Sequence, residues 1–132
     1  NEHTMIMGSY YPWFSVRKEA GNKLQFAFLL SSGSPTADVN GNTALNTQQW
    51  YHVVALFDKD KDTKLYLDGV EDASVQQNLF AAPMNTEASH YIGNWYTDLS
   101  INIFAGTIDE PMFFNRGLTE EEVKSLYNLD LS

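Results

Sequence analysis

Carboxylates, amides and aromatic rings carry the chemistry open to this chain, because its 132 residues include no cysteine. Disulfides, thiolate nucleophiles and thiolate metal sites are thereby excluded. Asp109-Glu110 is a carboxylate pair in an apolar stretch, but adjacent strand residues point to opposite faces and cannot act together on one bond. Asp58, Asp60 and Asp62 alternate like the opening ligands of a calcium-binding EF-hand loop. Thr63, however, stands where the sharp-turn glycine belongs, and Gly69 where the bidentate glutamate belongs. Asp38, Asn40 and Asn42 fail similarly, with Thr43 and Gln49 at those two positions. Both stretches read as solvated turns. The Gly-x-Ser-x-Gly elbow and the His-Glu-x-x-His zinc pair are absent. We expect no catalytic residue and no enzyme activity.

The aromatic residues give a stronger signal. Flat rings bind sugars by stacking on their C–H faces, while Asn, Asp and Gln hold the hydroxyls by hydrogen bonds. Tyr10, Tyr11 and Trp13 fall in one expected loop, and Asn94, Trp95, Tyr96 and Asp98 in another. Loops at strand ends commonly display binding residues. Each large ring can equally fold back as a plug over the core. A sugar platform in at least one of the two loops is the expectation.

The elements that must position these loops are strands. Trp50 to Phe57 is apolar on both sides of its alternation: Trp50, Val54 and Leu56 against Tyr51, Val53, Ala55 and Phe57. That pattern predicts the middle strand of a sheet covered on both faces, with Trp50 as a structural opening residue. After the charged turn 58–63, Lys64 to Asp68 returns with Leu65 and Leu67 on one face. Asp68-Gly69 then predicts a tight turn into a third strand, Val70 to Val75.

Upstream, Met5 to Met7 reads as a clipped strand, and Phe14 to Lys18 with Leu24 to Leu30 as a hairpin. Asn40-Gly41-Asn42 reads as a turn. Downstream, Gln76 to Ser89 is expected to cross over between sheets, Tyr91 to Gly93 to be a short strand, and Phe104 to Asn115 to be the last long one. Pro111 favours an edge or bulge there. Thr119 and Glu122 form a capping box, and Val123, Leu126 and Tyr127 give the helix that follows an apolar face. Many strands and one terminal helix predict an all-β, antiparallel β-sandwich, organised as a single domain over 1–132.

Composition narrows the partners. With 17 acidic against 8 basic residues the net charge is −9, which opposes nucleic acid and anionic membrane surfaces. At 43% hydrophobic residues the chain has enough apolar content to fold, yet no run is long enough to cross a bilayer as a helix.

Five short motifs then fall in a familiar order. They are Trp50-Tyr51-His52-Val53-Val54, Leu65-Tyr66-Leu67-Asp68-Gly69-Val70, Ile92-Gly93, Gly106-Thr107-Ile108-Asp109-Glu110, and the stretch Phe114 to Val123. Over about Met5 to Tyr127 the sequence resembles the laminin G-like branch of the concanavalin A-like lectin/glucanase jelly rolls. The resemblance implies a structural role for His52. His3 is expected in a frayed terminus and His90 to stand isolated. Glucanases of this fold carry Glu-x-Asp-x-x-Glu on one strand, with carboxylates on one face. Only Ile108-Asp109-Glu110 is present here. The resemblance also implies a structural calcium ion near that strand, with Asp109 as a ligand. Pro111 departs from the family's usual β-branched residue. Relatives open with one or two further strands, one beside the last strand. The chain therefore reads as N-terminally trimmed or as completed by another chain, and an unfilled sheet edge invites a homo-oligomer.

The expected function is non-catalytic, lectin-like carbohydrate binding by a module of a larger extracellular or cell-surface protein, of bacterial type. Trp13, Trp95 and Tyr96 would stack on a polysaccharide or glycan, while Asn94 and Asp98 bond its hydroxyls. The alternative is a protein-interaction or adhesion module.

Overall fold

The computed structural model describes residues 3–9, 13–29, 36–58, 62–76, 89–94 and 102–130. Among these residues eight strands form two antiparallel sheets. They are β1 (Thr4–Ser9), β2 (Trp13–Lys18), β3 (Lys23–Leu29), β4 (Thr36–Ala44), β5 (Val53–Leu56), β6 (Asp62–Leu67), β7 (Val70–Gln76) and β8 (His90–Ile92). One sheet runs β4-β3-β2-β1-β8 and the other β5-β6-β7. Helix α1 (Glu120–Asp130) follows. The fold is an antiparallel jelly-roll β-sandwich with one short C-terminal helix, as the strand pattern predicts.

Alternation builds the core. Val16, Leu24, Phe26 and Val39 of the five-stranded sheet meet Leu65 of the three-stranded sheet, with Val53, Ala55 and Leu67 packed around them. Burying such side chains is worth about 1.5–3 kcal/mol each, which is what holds the two layers together. Thr63 shares that inward face and is fully buried, yet its hydroxyl has no hydrogen-bond partner among the described residues.

Local rules fix the connections. Asp68 and Gly69 both have positive φ (52° and 77°), the mirror-image turn whose twist suits a two-residue hairpin. Asp68 also clamps the strand before it: Oδ1 accepts from His52 N at 2.9 Å, and Asp68 N donates to His52 O at 2.8 Å. The His52 ring lies 5.9 Å from that of Tyr127 on α1, a structural setting. The capping box forms as expected, with Thr119 N donating to Glu122 Oε2 at 2.8 Å and Glu122 N to Thr119 Oγ1 at 3.2 Å.

Several expectations are corrected. β5 pairs only with β6 among the described strands, so β6 is the middle strand of its sheet. β6 buries both faces, Leu65 on one and Tyr66 on the other, rather than one. Trp50 is 65% exposed and is not a core residue. Asn40 to Asn42 lies within β4, where the register against β3 shifts between Lys23 and Gln25. Gly41 permits this close approach, since a Cβ there would stand 3.1 Å from Leu24 O. The carboxylate of Asp72 on β7 reaches across to the bulge. It accepts from Asn42 N at 2.9 Å, Thr43 N at 3.1 Å and Thr43 Oγ1 at 2.6 Å.

Phe104 to Asn115 forms no strand. Ile103 makes one parallel bridge to Met5, and Phe104 N donates to Gly93 O at 2.9 Å. Beyond that no described residue up to Asn115 joins a strand; further on, Glu110 adopts a positive φ of 45° and Pro111 has no N–H. Met112, Phe113 and Phe114 are left exposed. His90 is not isolated: its ring lies 5.7 Å from Phe113 and 6.1 Å from Phe14. His3 is held too, with its Nδ1 against the Glu19 carboxylate.

Candidate functional site

Strand register decides which expected residues can meet. Tyr10, Tyr11, Trp95, Tyr96 and Asp98 lie outside the described residues. Trp13 is the first residue of β2, opposite Leu29, rather than part of the preceding loop. Asn94 is half-buried and follows Gly93, whose N–H donates to Ile6 O at 2.8 Å. Asn102, where the described chain resumes, accepts from Met5 N at 2.8 Å. The stretch 10–12 joins Ser9, which faces His90, to Trp13. Ile6 and Ser9 are three residues apart on one strand, roughly 10 Å at the usual rise. Asn94 and Trp13 therefore lie toward opposite ends of β1.

Level with Met5, at the Ile6 end of β1, lies a row that sequence reasoning missed. Arg17, Gln25 and Asn40 are cross-strand partners on β2, β3 and β4. Each neighbours a core residue (Val16, Phe26 and Val39), so alternation turns the three to the outer face of the sheet. Arg17 Nε donates to Gln25 Oε1 at 2.7 Å, and Gln25 Nε2 donates to Asn40 Oδ1 at 2.8 Å. Glu19 pairs with Arg17 at 2.5 Å and with His3, so the cation is locally neutralised. Past Arg17 the row runs into a small hollow lined by His3, Met5, Arg17 and Asn102. The residue types were visible in the sequence, but the register that aligns them was not.

The next row on the same face, Gly8, Ser15, Ala27 and Asp38, has small residues at its centre. Ser15 and Ala27 are fully covered, and the Ser15 hydroxyl has no partner among the described residues. Asp38 is exposed.

Asp109 is exposed, and its Oδ1 accepts from Glu110 N at 2.9 Å. Among the described residues no group of three or more His, Cys, Asp or Glu is placed to hold a metal ion. The described residues therefore do not by themselves compose the calcium set that the family resemblance implies around Asp109. Perturbed ionisations lie elsewhere, in surface ion pairs. The Arg116 guanidinium, bidentate at 2.7 and 2.8 Å, brings the Glu122 carboxyl down to about 2. The Glu71 carboxylate raises Lys64, and Lys64 lowers Glu71. Burial raises the Tyr66 phenol.

Comparison with solved structures finds a crystal structure of an S-layer domain-containing protein (residues 221–444) from Clostridium thermocellum ATCC 27405. It is 22% identical, superposes with a TM-score of 0.51, and covers 94% of this chain. The present chain spans 64% of that chain, less than two thirds of its length. At that identity the likeness speaks for the fold alone. Comparison with curated proteins gave no match. Among the described residues no helix is long and apolar enough to cross a membrane. The laminin G model of the concanavalin A-like lectin/glucanases superfamily matches residues 2–124. Two antiparallel sheets in a sandwich and a family match over nearly the full length lead to one conclusion: the chain belongs to the concanavalin A-like lectin/glucanase superfamily, in its laminin G branch.

Proposed function

We propose that this chain is a non-catalytic carbohydrate-binding module of a larger extracellular or cell-surface protein. The observation that carries the reading is the outward row of Arg17, Gln25 and Asn40, whose guanidinium and amide groups suit sugar hydroxyls. Membership of a lectin-containing superfamily supports it. Tyr10, Tyr11, Trp13, Trp95 and Tyr96 supply the stacking rings in this proposal, with Asn94 and Asp98 as hydrogen-bonding partners. Calcium at Asp109 is a supporting ion in the same proposal, and no step of sugar binding passes through it. Trp95→Ala should abolish retention on glycan while leaving the unfolding midpoint within about 0.5 kcal/mol of the parent, as for a surface change. A large loss of stability would assign Trp95 to the core and remove it from the site.

A second reading has its own observation. Met112, Phe113 and Phe114 are consecutive and all exposed, an apolar patch of the kind that marks protein contacts. On this reading the module serves adhesion. Replacing Met112 and Phe113 by serine should then abolish partner capture and leave glycan retention unchanged.

A further inference from the structure

The Arg17–Gln25–Asn40 row has a polarity, and the polarity defines a ligand. Gln25 Oε1 accepts from Arg17 Nε, and Asn40 Oδ1 accepts from Gln25 Nε2. The bonds run in one direction, so both amide oxygens are engaged within the row. Among the described residues the groups left over are donors: the Arg17 Nη groups, the second Gln25 Nε2 hydrogen and the Asn40 Nδ2 amide. The rings and amides of a loop platform could take a sugar in many orientations. A strip of N–H donors spaced by one strand separation, about 4.8 Å, cannot.

We propose that this strip is a glycan subsite on the sheet face, taking a neutral, linear oligosaccharide laid across β2, β3 and β4 with its oxygens toward the N–H groups. The inference rests on the glycan reading above and narrows it. Two features of charge select a neutral ligand. Glu19 neutralises Arg17 at 2.5 Å, and the whole chain carries −9. A polyanion would meet the field of the protein with no free cation in the row to hold it. The exposed carboxylate of Asp38, two residues before Asn40 on the same face of β4, adds a further cost for an acidic sugar. The hollow beside Arg17, with Asn102 on its wall, takes the end of the ligand beyond β1.

The test uses calorimetric titration of the whole chain with cellohexaose, xylohexaose and mannohexaose, and with hexagalacturonate as the acidic comparison. One neutral probe should bind, and Asn40→Asp and Gln25→Glu should each weaken it at least tenfold. These changes keep size but put an acceptor where the strip has a donor, and thermal unfolding should confirm that both variants remain folded. On saturation of the parent protein the side-chain amide resonances of Gln25 and Asn40 should move. If a neutral probe binds while both variants bind it equally well and neither resonance moves, the strip is overturned and the loops carry the glycan reading. Preferential binding of hexagalacturonate overturns the neutral assignment. Failure of the parent protein to bind any of the four overturns the strip together with the glycan reading it rests on.

Discussion

Removing the Asp72 side chain should separate the β4 bulge from β7 and destabilise the sandwich measurably. In the folded chain Asp72 accepts three hydrogen bonds through its carboxylate, from Asn42 N, Thr43 N and Thr43 Oγ1, at 2.9, 3.1 and 2.6 Å. Its backbone carbonyl accepts a fourth from Asn42 Nδ2 at 2.6 Å, which a side-chain change leaves in place. A hydrogen bond to a charged group contributes about 1.5–3 kcal/mol when shielded, and less where water can replace it. The donors here are exposed, so water recovers much of the loss. For Asp72→Ala we expect about 2 kcal/mol in total. For a domain of this size that is a fall in Tm of about 6–12 °C. Denaturant unfolding gives the energy, and amide exchange at Asn42 and Thr43 gives the location. Gly41→Ala attacks the same contact from the other side, since its Cβ would come within 2.6 Å of Asp72 Oδ2. The two changes should therefore be strongly non-additive in a double-mutant cycle. A loss under about 0.5 kcal/mol for Asp72→Ala, with unchanged exchange at both amides, would refute the claim that this carboxylate fixes the bulge.

Thr63→Val should stabilise the protein by about 1 kcal/mol, because the change keeps the shape and removes a fully buried hydroxyl that lacks a partner; a measured destabilisation would mean that the hydroxyl is satisfied in solution. Acid should weaken the start of α1 through Glu122, whose carboxyl Arg116 lowers from 4.5 to about 2. A carboxyl lowered on folding stabilises the fold above its unfolded value, and that contribution is lost as pH falls from about 4.5 through about 2. Helical ellipticity followed down this window should fall for the parent protein, and Glu122→Gln should flatten the part of the curve due to this group.

Sequence and structure agree where a few neighbouring residues settle the geometry. Asp68-Gly69 needs two positive φ values, and both residues tolerate them. Thr119 and Glu122 satisfy each other's backbone within one helical turn. The first hairpin is legible because Val16 and Phe26 alternate with polar residues that face outward. Disagreement begins where a distant residue decides. Asn40-Gly41-Asn42 carries every local sign of a turn, yet Asp72, about thirty residues away, supplies the acceptors that keep it in a strand. The alternation of Phe104 to Asn115 suggests a strand, but Glu110 turns with a positive φ and the ladder ends near Phe104. In the candidate site, Trp13 and Asn94 could be named from their types, while their placement at opposite ends of β1 and β8 needed the pairing register. Arg17, Gln25 and Asn40 are unremarkable in the sequence for the same reason. Only register makes them a row.

The central claim, that this module binds glycan, is tested most directly by retention on a panel of arrayed glycans and insoluble polysaccharides, run with calcium and again with a chelator. The account predicts retention on a defined neutral glycan, and loss of that retention with chelator would show that a metal ion supports the fold of the site, with Asp109→Ala as the variant that tests its ligand. No retention on any glycan in either condition would contradict the account and leave protein adhesion through Met112, Phe113 and Phe114 as the function to pursue.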